Sequence, residues 1–430
     1  MQLINLDYKD NLIDHYHKFA KLPGFVLLHS ADINSGRYDI LSAYPYDRIQ
    51  ITNQIELWSQ LAQNLCQEES EWDLPFQGGA IGYISYDFGA QLHGIKNAYQ
   101  YPLVDLGLYD WAIIADHHLQ KMYLFAANKH PNTKTLIQEM HLLWNASIEQ
   151  DKTSSCSNNF SAATSKDEYI KSFHSIQKAL YSGRCYQINY TQKYHASYSG
   201  DSWDLYKKIS KTNPVPFAAF IKTQAMDILS FSPERFISYE QGKVLTSPIK
   251  GTIKSSENAE EDRALQQKLV NCLKNKAENT MIVDLMRNDF GKIAKPGTVE
   301  VTNLCAVQSF NGLHHLVSDI QAQCLDTIAP MDAFLSCFPG GSITGTPKIE
   351  VMKLIQELEG QARGVYCGSI AYFSNHQQFD SSIAIRTLIA KDGILELAAG
   401  GGIVVDSDCE EEYQECSVKL AGILKGLSEL

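Results

Sequence analysis

Short apolar runs, broken by glycines and polar clusters, dominate the chain and predict strands. Phe25–Ser30, Tyr38–Leu41, Leu108–Ala115 and Lys121–Ala126 read as strands of a sheet-rich first stretch. Between them, Asn53–Cys66 places Ile55, Leu57, Trp58, Leu61 and Leu65 at helical spacing. Asp73-Leu74-Pro75-Phe76-Gln77-Gly78-Gly79 then opens a β-rich run to Asp87, whose glycines mark bulges or close backbone approach. Residues 145–165 are rich in Ser, Asn, Asp and Ala and predict a linker. The organisation expected is an N-terminal lobe over 1–145, a linker over 146–165 and a second domain over 166–430.

The second stretch mixes both periods. Ser165 and Glu168 form a predicted capping box ahead of Tyr169, Phe173, Ile176 and Leu180. Tyr186–Thr191, Phe217–Ile221, Ile228–Ser232 and Phe236–Tyr239 read as strands. Ala259–Phe290 is helical, then Val299–Val301 and Val307–Phe310 return to strand. Gly340–Lys348 leads into a helix with Pro347 suited to its first turn, and the loop can present amides to an anion. Tyr366–Phe373, Ser382–Ile389 and Leu395–Ala399 form a last strand cluster. Ser407 and Glu410 resemble a capping box for a final helix to about residue 428.

Composition narrows the class. Apolar residues make up 44% of 430, enough for a large core. A net charge of −12 argues against a nucleic-acid binder, so an anionic substrate would need local cations. Ten scattered cysteines without a paired spacing predict reduced thiols in a cytoplasm. Neither a signal peptide nor an apolar run long enough for a membrane span is apparent.

Several residues carry candidate chemistry. Lys250 sits between the stiff Pro248-Ile249 pair and Gly251, just after the run Lys243–Thr246, and is held rather than free. Glu278 and Glu415 lie on separate predicted helices and can converge on a hard cation, although acids on helices are ordinarily solvated. Glu412, Glu415 and Lys419 share one helical face. Arg386 interrupts an apolar strand, which calls for a strand end, an ion pair or a bound anion. Glu234 and Arg235 read either as site residues or as an adjacent surface pair, and His315 alone reads as a core histidine.

Taken in order, these segments resemble the chorismate-utilising enzymes over residues 20–428, and within them the branch that aminates chorismate at C4. The resemblance rests on Asp73–Gly79, Ser232–Phe236, Pro248–Thr252, Ala277–Asn279, Asp284–Asp289, Pro339–Lys348, Ile385–Thr387 and Ala399–Val404. It implies an α+β fold of two orthogonally packed antiparallel sheets flanked by helices, with the site between them. It also implies Mg²⁺ on Glu278 and Glu415, with Glu412 through water. Thr344, Tyr366, Arg386, Lys419 and the Gly400, Gly401 and Gly402 amides would bind substrate carboxylates. Lys250 would be the nucleophile and Glu234 the general acid, with His315 near the substrate. Ammonia would come from a separate glutamine amidotransferase subunit in a heterodimer. Ser30, Ser35, Gly36, Arg37, Tyr38, Pro216, Phe217 and Ala218 would form a tryptophan pocket. Anthranilate synthase large subunits carry alanine where Lys250 stands, so this lysine separates C4 from C2 amination. The alternatives are an anthranilate synthase and a silent chorismate- or tryptophan-binding subunit.

Overall fold

The computed structural model describes residues 1–33, 35–65, 72–148, 155–156, 160–310 and 312–428. Much of the expected linker and Cys66, the last residue of the expected first helix, lie outside them. Among the described residues the chain forms two antiparallel sheets of 13 and 10 strands with helices packed on them, an α+β fold. In the larger sheet, Val26–His29 pairs with Phe217–Lys222, and Ile394–Ile403 with Gln187–Ser199. In the smaller sheet, Gly79–Ile84 pairs with Ser369–Ser374, and Ile249–Lys254 is an edge strand on Leu313–Gln323. Both sheets therefore draw strands from 1–145 and from 166–430.

The apolar runs are continuous because these strands are buried on both faces. In Trp111–Asp116, Trp111, Ile113 and Ala115 join the core under the helices of the larger sheet. Their alternates Ala112 and Ile114 point instead into the core shared with Ile81, Tyr83 and Ile370 of the smaller sheet. Phe220 and Ile221 divide in the same way. Period-2 geometry thus sends one strand into two cores.

Three predicted continuous elements are broken. The run Leu108–Ala115 ends one strand at Tyr109 and starts another at Trp111, in different sheets. Ser382–Ile389 is likewise split between Phe379–Ile383 and Thr387–Lys391, again in different sheets. The break falls at Arg386, whose φ of 51° no strand accommodates. The helix over Ala259–Phe290 divides at Cys272, which is extended at φ −69° and ψ 106°. Conversely, the two short runs between 299 and 310 form one bulged strand, Glu300–Phe310.

The capping box at Ser165 forms with both of its bonds. The predicted box at Ser407 does not. Asp408 accepts from the Glu410 and Glu411 amides at the start of Cys409–Ser428, while Ser407 bonds the Val404 amide and Glu412. Pro347 stands one residue before Lys348–Glu359 rather than inside its first turn.

The helix Ser202–Thr212 fastens the larger sheet through Trp203, fully buried against Phe25, Tyr206 and Phe220 at centroid distances of 5.2 to 5.4 Å. Trp203→Ala is expected to lower stability by about 3–5 kcal/mol, read as a shift of the urea midpoint at unchanged slope.

Candidate active site

The site is assembled where the chain crosses between sheets. Asp227–Ser232 belongs to the larger sheet and Arg235–Glu240 to the smaller, so Pro233-Glu234 is one crossing. Ala384–Arg386 is another. A crossing residue is free of ladder constraints on its side-chain direction, and Glu234 and Arg386 interact electrostatically there.

Lys250 lies in the edge strand Ile249–Lys254. Gly251, at φ +75°, makes a bulge between Lys250 and Thr252, and an added Cβ would stand 2.9 Å from the Asn275 side chain. The Lys250 ammonium position donates to the Ser342 carbonyl at 3.4 Å. Burial pushes its pKa down; Glu234, Glu278 and Glu415 oppose this and Lys419 adds to it. Glu234 is 6% exposed, with Oε1 buried and without a hydrogen-bond partner. Burial raises its pKa against the pull of Lys250. Desolvation therefore drives both groups toward neutrality, as a carboxylic acid and an amine. The surface-pair reading of Glu234 and Arg235 is overturned, since Arg235 pairs bidentately with Asp380 at 2.9 Å.

His315 is buried, with Nδ1 2.9 Å from the Thr252 hydroxyl. Burial, Arg386 and His314 push its pKa down to about 4, so it is neutral at pH 7. The Arg386 carbonyl accepts from the Phe231 amide at 3.1 Å, but its guanidinium has no hydrogen bond or ion pair among the described residues; burial lowers its pKa and Glu234 opposes this. A half-buried guanidinium without a counter-ion is a receptor for an anion.

The acidic trio sits on two helices. Glu278 projects from Leu273–Gly291 beside Asn279, whose side chain bonds Ser318 and the Leu316 carbonyl and so anchors this turn. Burial raises the Glu278 pKa, Lys250 and Lys274 oppose it, and Glu415 adds to the rise. Burial also raises Glu412. For Glu415 burial acts upward too, but the Lys419 ion pair at 2.6 Å wins and holds it low. Lys419 also donates to the Gly400 carbonyl at 2.9 Å.

Gly400–Gly402 lie inside the strand Ile394–Ile403, opposite Thr191, Tyr190 and Asn189, rather than in a loop. A Cβ on Gly401 would stand 2.8 Å from Glu412 Oε2 and 3.8 Å from Glu415 Oε1. Glu412 Oε2 is buried and unpaired. Hard oxygen donors, mutual repulsion and a space kept open by glycine fit a divalent cation such as Mg²⁺, which takes one or two carboxylates plus water. Among the described residues no three acidic, His or Cys side chains converge into a closed metal cage.

Tyr366 is buried. Thr344 is fully buried, but its hydroxyl turns back on the Gly340 and Gly341 carbonyls at 3.1 and 3.3 Å. The loop that carries it is clamped twice by residues not singled out from the sequence. Arg363 is 2% exposed, pairs with Glu359 at 2.6 Å, and donates to the Ile343 and Asn189 carbonyls. Lys348 bonds the buried Asp289 at 2.6 Å and ties the following helix to the one bearing Glu278. The i, i+4 spacing of Glu359 and Arg363 was the available signal.

The eight positions expected for a tryptophan pocket all line a single cavity of about 470 Å³. Arg235 and Asp380 line it too, whereas Glu234, the residue before Arg235, is not part of its lining.

The sequence pattern of the chorismate binding enzyme family matches residues 26–425. The chain belongs to the chorismate binding enzyme family. Aminodeoxychorismate synthase component 1 of Salmonella typhimurium is 39% identical over 450 residues, covering 99% of this chain and 98% of its own length. The protein of the same name in Escherichia coli is 37% identical, covering 96% of each. Among solved structures, anthranilate synthase component I from Streptococcus pneumoniae superposes with a TM-score of 0.82 at 29% identity, covering 90% of this chain and 92% of its own.

Because the Arg386 guanidinium is half-buried with no hydrogen bond or ion pair among the described residues, Arg386→Met is expected to stabilise the free protein by about 1 kcal/mol. Urea unfolding without ligand measures this, and a lower midpoint would mean that the guanidinium is already satisfied.

Proposed function

We propose that this chain converts chorismate and ammonia to 4-amino-4-deoxychorismate, as the synthase component of a two-component enzyme in p-aminobenzoate and folate biosynthesis. The observation that carries the reading is the half-buried Lys250 in electrostatic reach of the buried Glu234, with Arg386, Lys419, Glu278 and Glu415 around them. The full-length likeness to proteins named aminodeoxychorismate synthase component 1 supports it, and the likeness to anthranilate synthase is lower. A silent binding subunit has no use for a buried acid beside a desolvated amine.

In this reading Arg386 and Lys419 hold the substrate carboxylates. The neutral amine of Lys250 attacks C2 while Glu234 protonates the departing 4-hydroxyl, which leaves as water. Ammonia then adds at C4, the C2–nitrogen bond breaks, and Lys250 departs as an amine after a proton returns to Glu234. His315, neutral and hydrogen-bonded to Thr252, bounds the pocket without adding charge. Mg²⁺ on Glu278 and Glu415, with Glu412 behind, would supply charge neutralisation for a ring carboxylate in an otherwise acidic corner.

The nitrogen source is read as a partner glutaminase subunit, in keeping with the component 1 naming of the relatives. Tryptophan is read as the occupant of the 470 Å³ cavity, where Phe217 and Tyr372 supply aromatic walls. A cytoplasmic setting agrees with the eight cysteines between 185 and 416, which are all free.

Two outcomes test the chemistry. The rate is expected to rise with pH as Lys250 loses its proton and to fall at higher pH as Glu234 loses its own, giving a bell. Glu234→Gln should lower kcat by about 10²–10⁴-fold and remove the alkaline limb; a retained limb would assign it to another group. In a quenched reaction with chorismate and Mg²⁺ but no ammonia, peptide mass spectrometry should find the substrate skeleton on Lys250. Its consistent absence would reduce Lys250 to a charge or hydrogen-bond donor.

A further inference from the structure

One face of the strand Gln187–Ser199 carries a row of polar groups that no partner among the described residues satisfies. Gln187 is 0% exposed, and both its Nε2 and its Oε1 are unpaired. Two and four residues on, Asn189 Oδ1 and Thr191 Oγ1 are buried and unpaired as well. Across from Gln187 stands Thr346, its register partner, whose hydroxyl is likewise unpaired. Each such group costs on the order of 1–3 kcal/mol if nothing fills its bonds, so their alignment is not ordinary packing.

The row lies between the two walls of the site. On one side is the loop whose Ser342 carbonyl receives Lys250 and whose Thr344 carbonyl receives the Asn189 amide. On the other is the glycine strand. A Cβ on Gly402 would stand 2.3 Å from Gln187 Nε2, and one on Gly400 would stand 2.9 Å from Thr191 Oγ1. At its inner end, Gly400 accepts from Lys419. At its outer end, Thr346 also lines a surface cavity of about 1260 Å³ beside Asp284 and Lys348.

The chemistry of the row selects its occupant. Gln187 offers a donor and an acceptor, Asn189 an acceptor, and each threonine hydroxyl both. A carboxylate would meet acceptors and a cation would meet donors, whereas a small neutral molecule that donates and accepts meets both. The cation Lys419 at the inner end further disfavours ammonium. We propose that Gln187, Asn189, Thr191 and Thr346 form the path that takes neutral ammonia from the outer cavity to the substrate. This rests on the function proposed above.

The test uses the purified chain with Mg²⁺, chorismate and ammonium chloride. Wild type must form aminodeoxychorismate; if it does not, the proposed function fails, whatever the row does. Gln187→Met and Thr191→Val are expected to raise the KM for ammonium about tenfold, as loss of one hydrogen bond allows. The KM for chorismate should stay unchanged, and Thr191→Ser should restore the wild-type value. An unchanged ammonium KM, with or without a fall in kcat, would mean that the row holds structural water only and would overturn the path. A parallel rise of both KM values would also overturn it, by making these residues chorismate contacts. Thermal unfolding of each variant identifies any that fail to fold, and the threonine pair keeps the test open if Gln187→Met is one of them.

Discussion

The proposed chemistry depends on partly shielding one lysine and one glutamate from water. In solvent, Lys250 and Glu234 would be a charged pair of no catalytic value. Burial opposes both charges, while their attraction favours them, and burial prevails for each. A free lysine is neutral about once in 2,500 at pH 7, so in the proposed reaction that shift is what would make the amine a nucleophile. The loop over 341–346 is the lid on this arrangement. The buried Arg363–Glu359 pair and the Lys348–Asp289 pair hold it in place. Such pairs are weak sources of stability but strong sources of geometry.

The two-sheet architecture delivers the other requirement, which is convergence. Residues far apart in sequence meet because the chain changes sheets at Pro233-Glu234 and at Ala384–Arg386. Each crossing interrupts the ladder and releases one charged side chain into the space between the sheets. Helices contribute the acids from outside, and Gly401 leaves space beside Glu412 and Glu415 that a larger residue would fill.

The sequence discloses the chemistry better than the breaks in the backbone. Periodicity locates Lys121–Ala126 and the capping box at Ser165 because local physics determines both. It reads Leu108–Ala115 as one strand because two consecutive doubly buried strands look like one apolar run. Nothing in a hydrophobicity pattern marks a change of sheet. Arg386 is the exception, since a charge inside Ser382–Leu388 signals a break, and the break is there. The residues proposed for the site were singled out mainly through the order of long motifs. Thr344 shows the limit of that reading, since its hydroxyl is consumed within its own loop. Gln187, Asn189 and Thr191 were hidden for the opposite reason: polar alternation in a strand ordinarily means solvent, and here the polar face is buried.

The interleaving of the sheets has a consequence for the birth of the protein. Val26–His29 pairs with Phe217–Lys222, and Gly79–Ile84 with Ser369–Ser374. On the ribosome the early strands emerge long before those neighbours exist, so their open edges and apolar faces wait through most of synthesis. Non-local pairing of this kind slows folding and lengthens the time at risk of aggregation. The nascent chain thus relies on its local units, such as the Trp111–Asp116 and Lys121–Ala126 hairpin, to shield that surface until the C-terminal strands arrive.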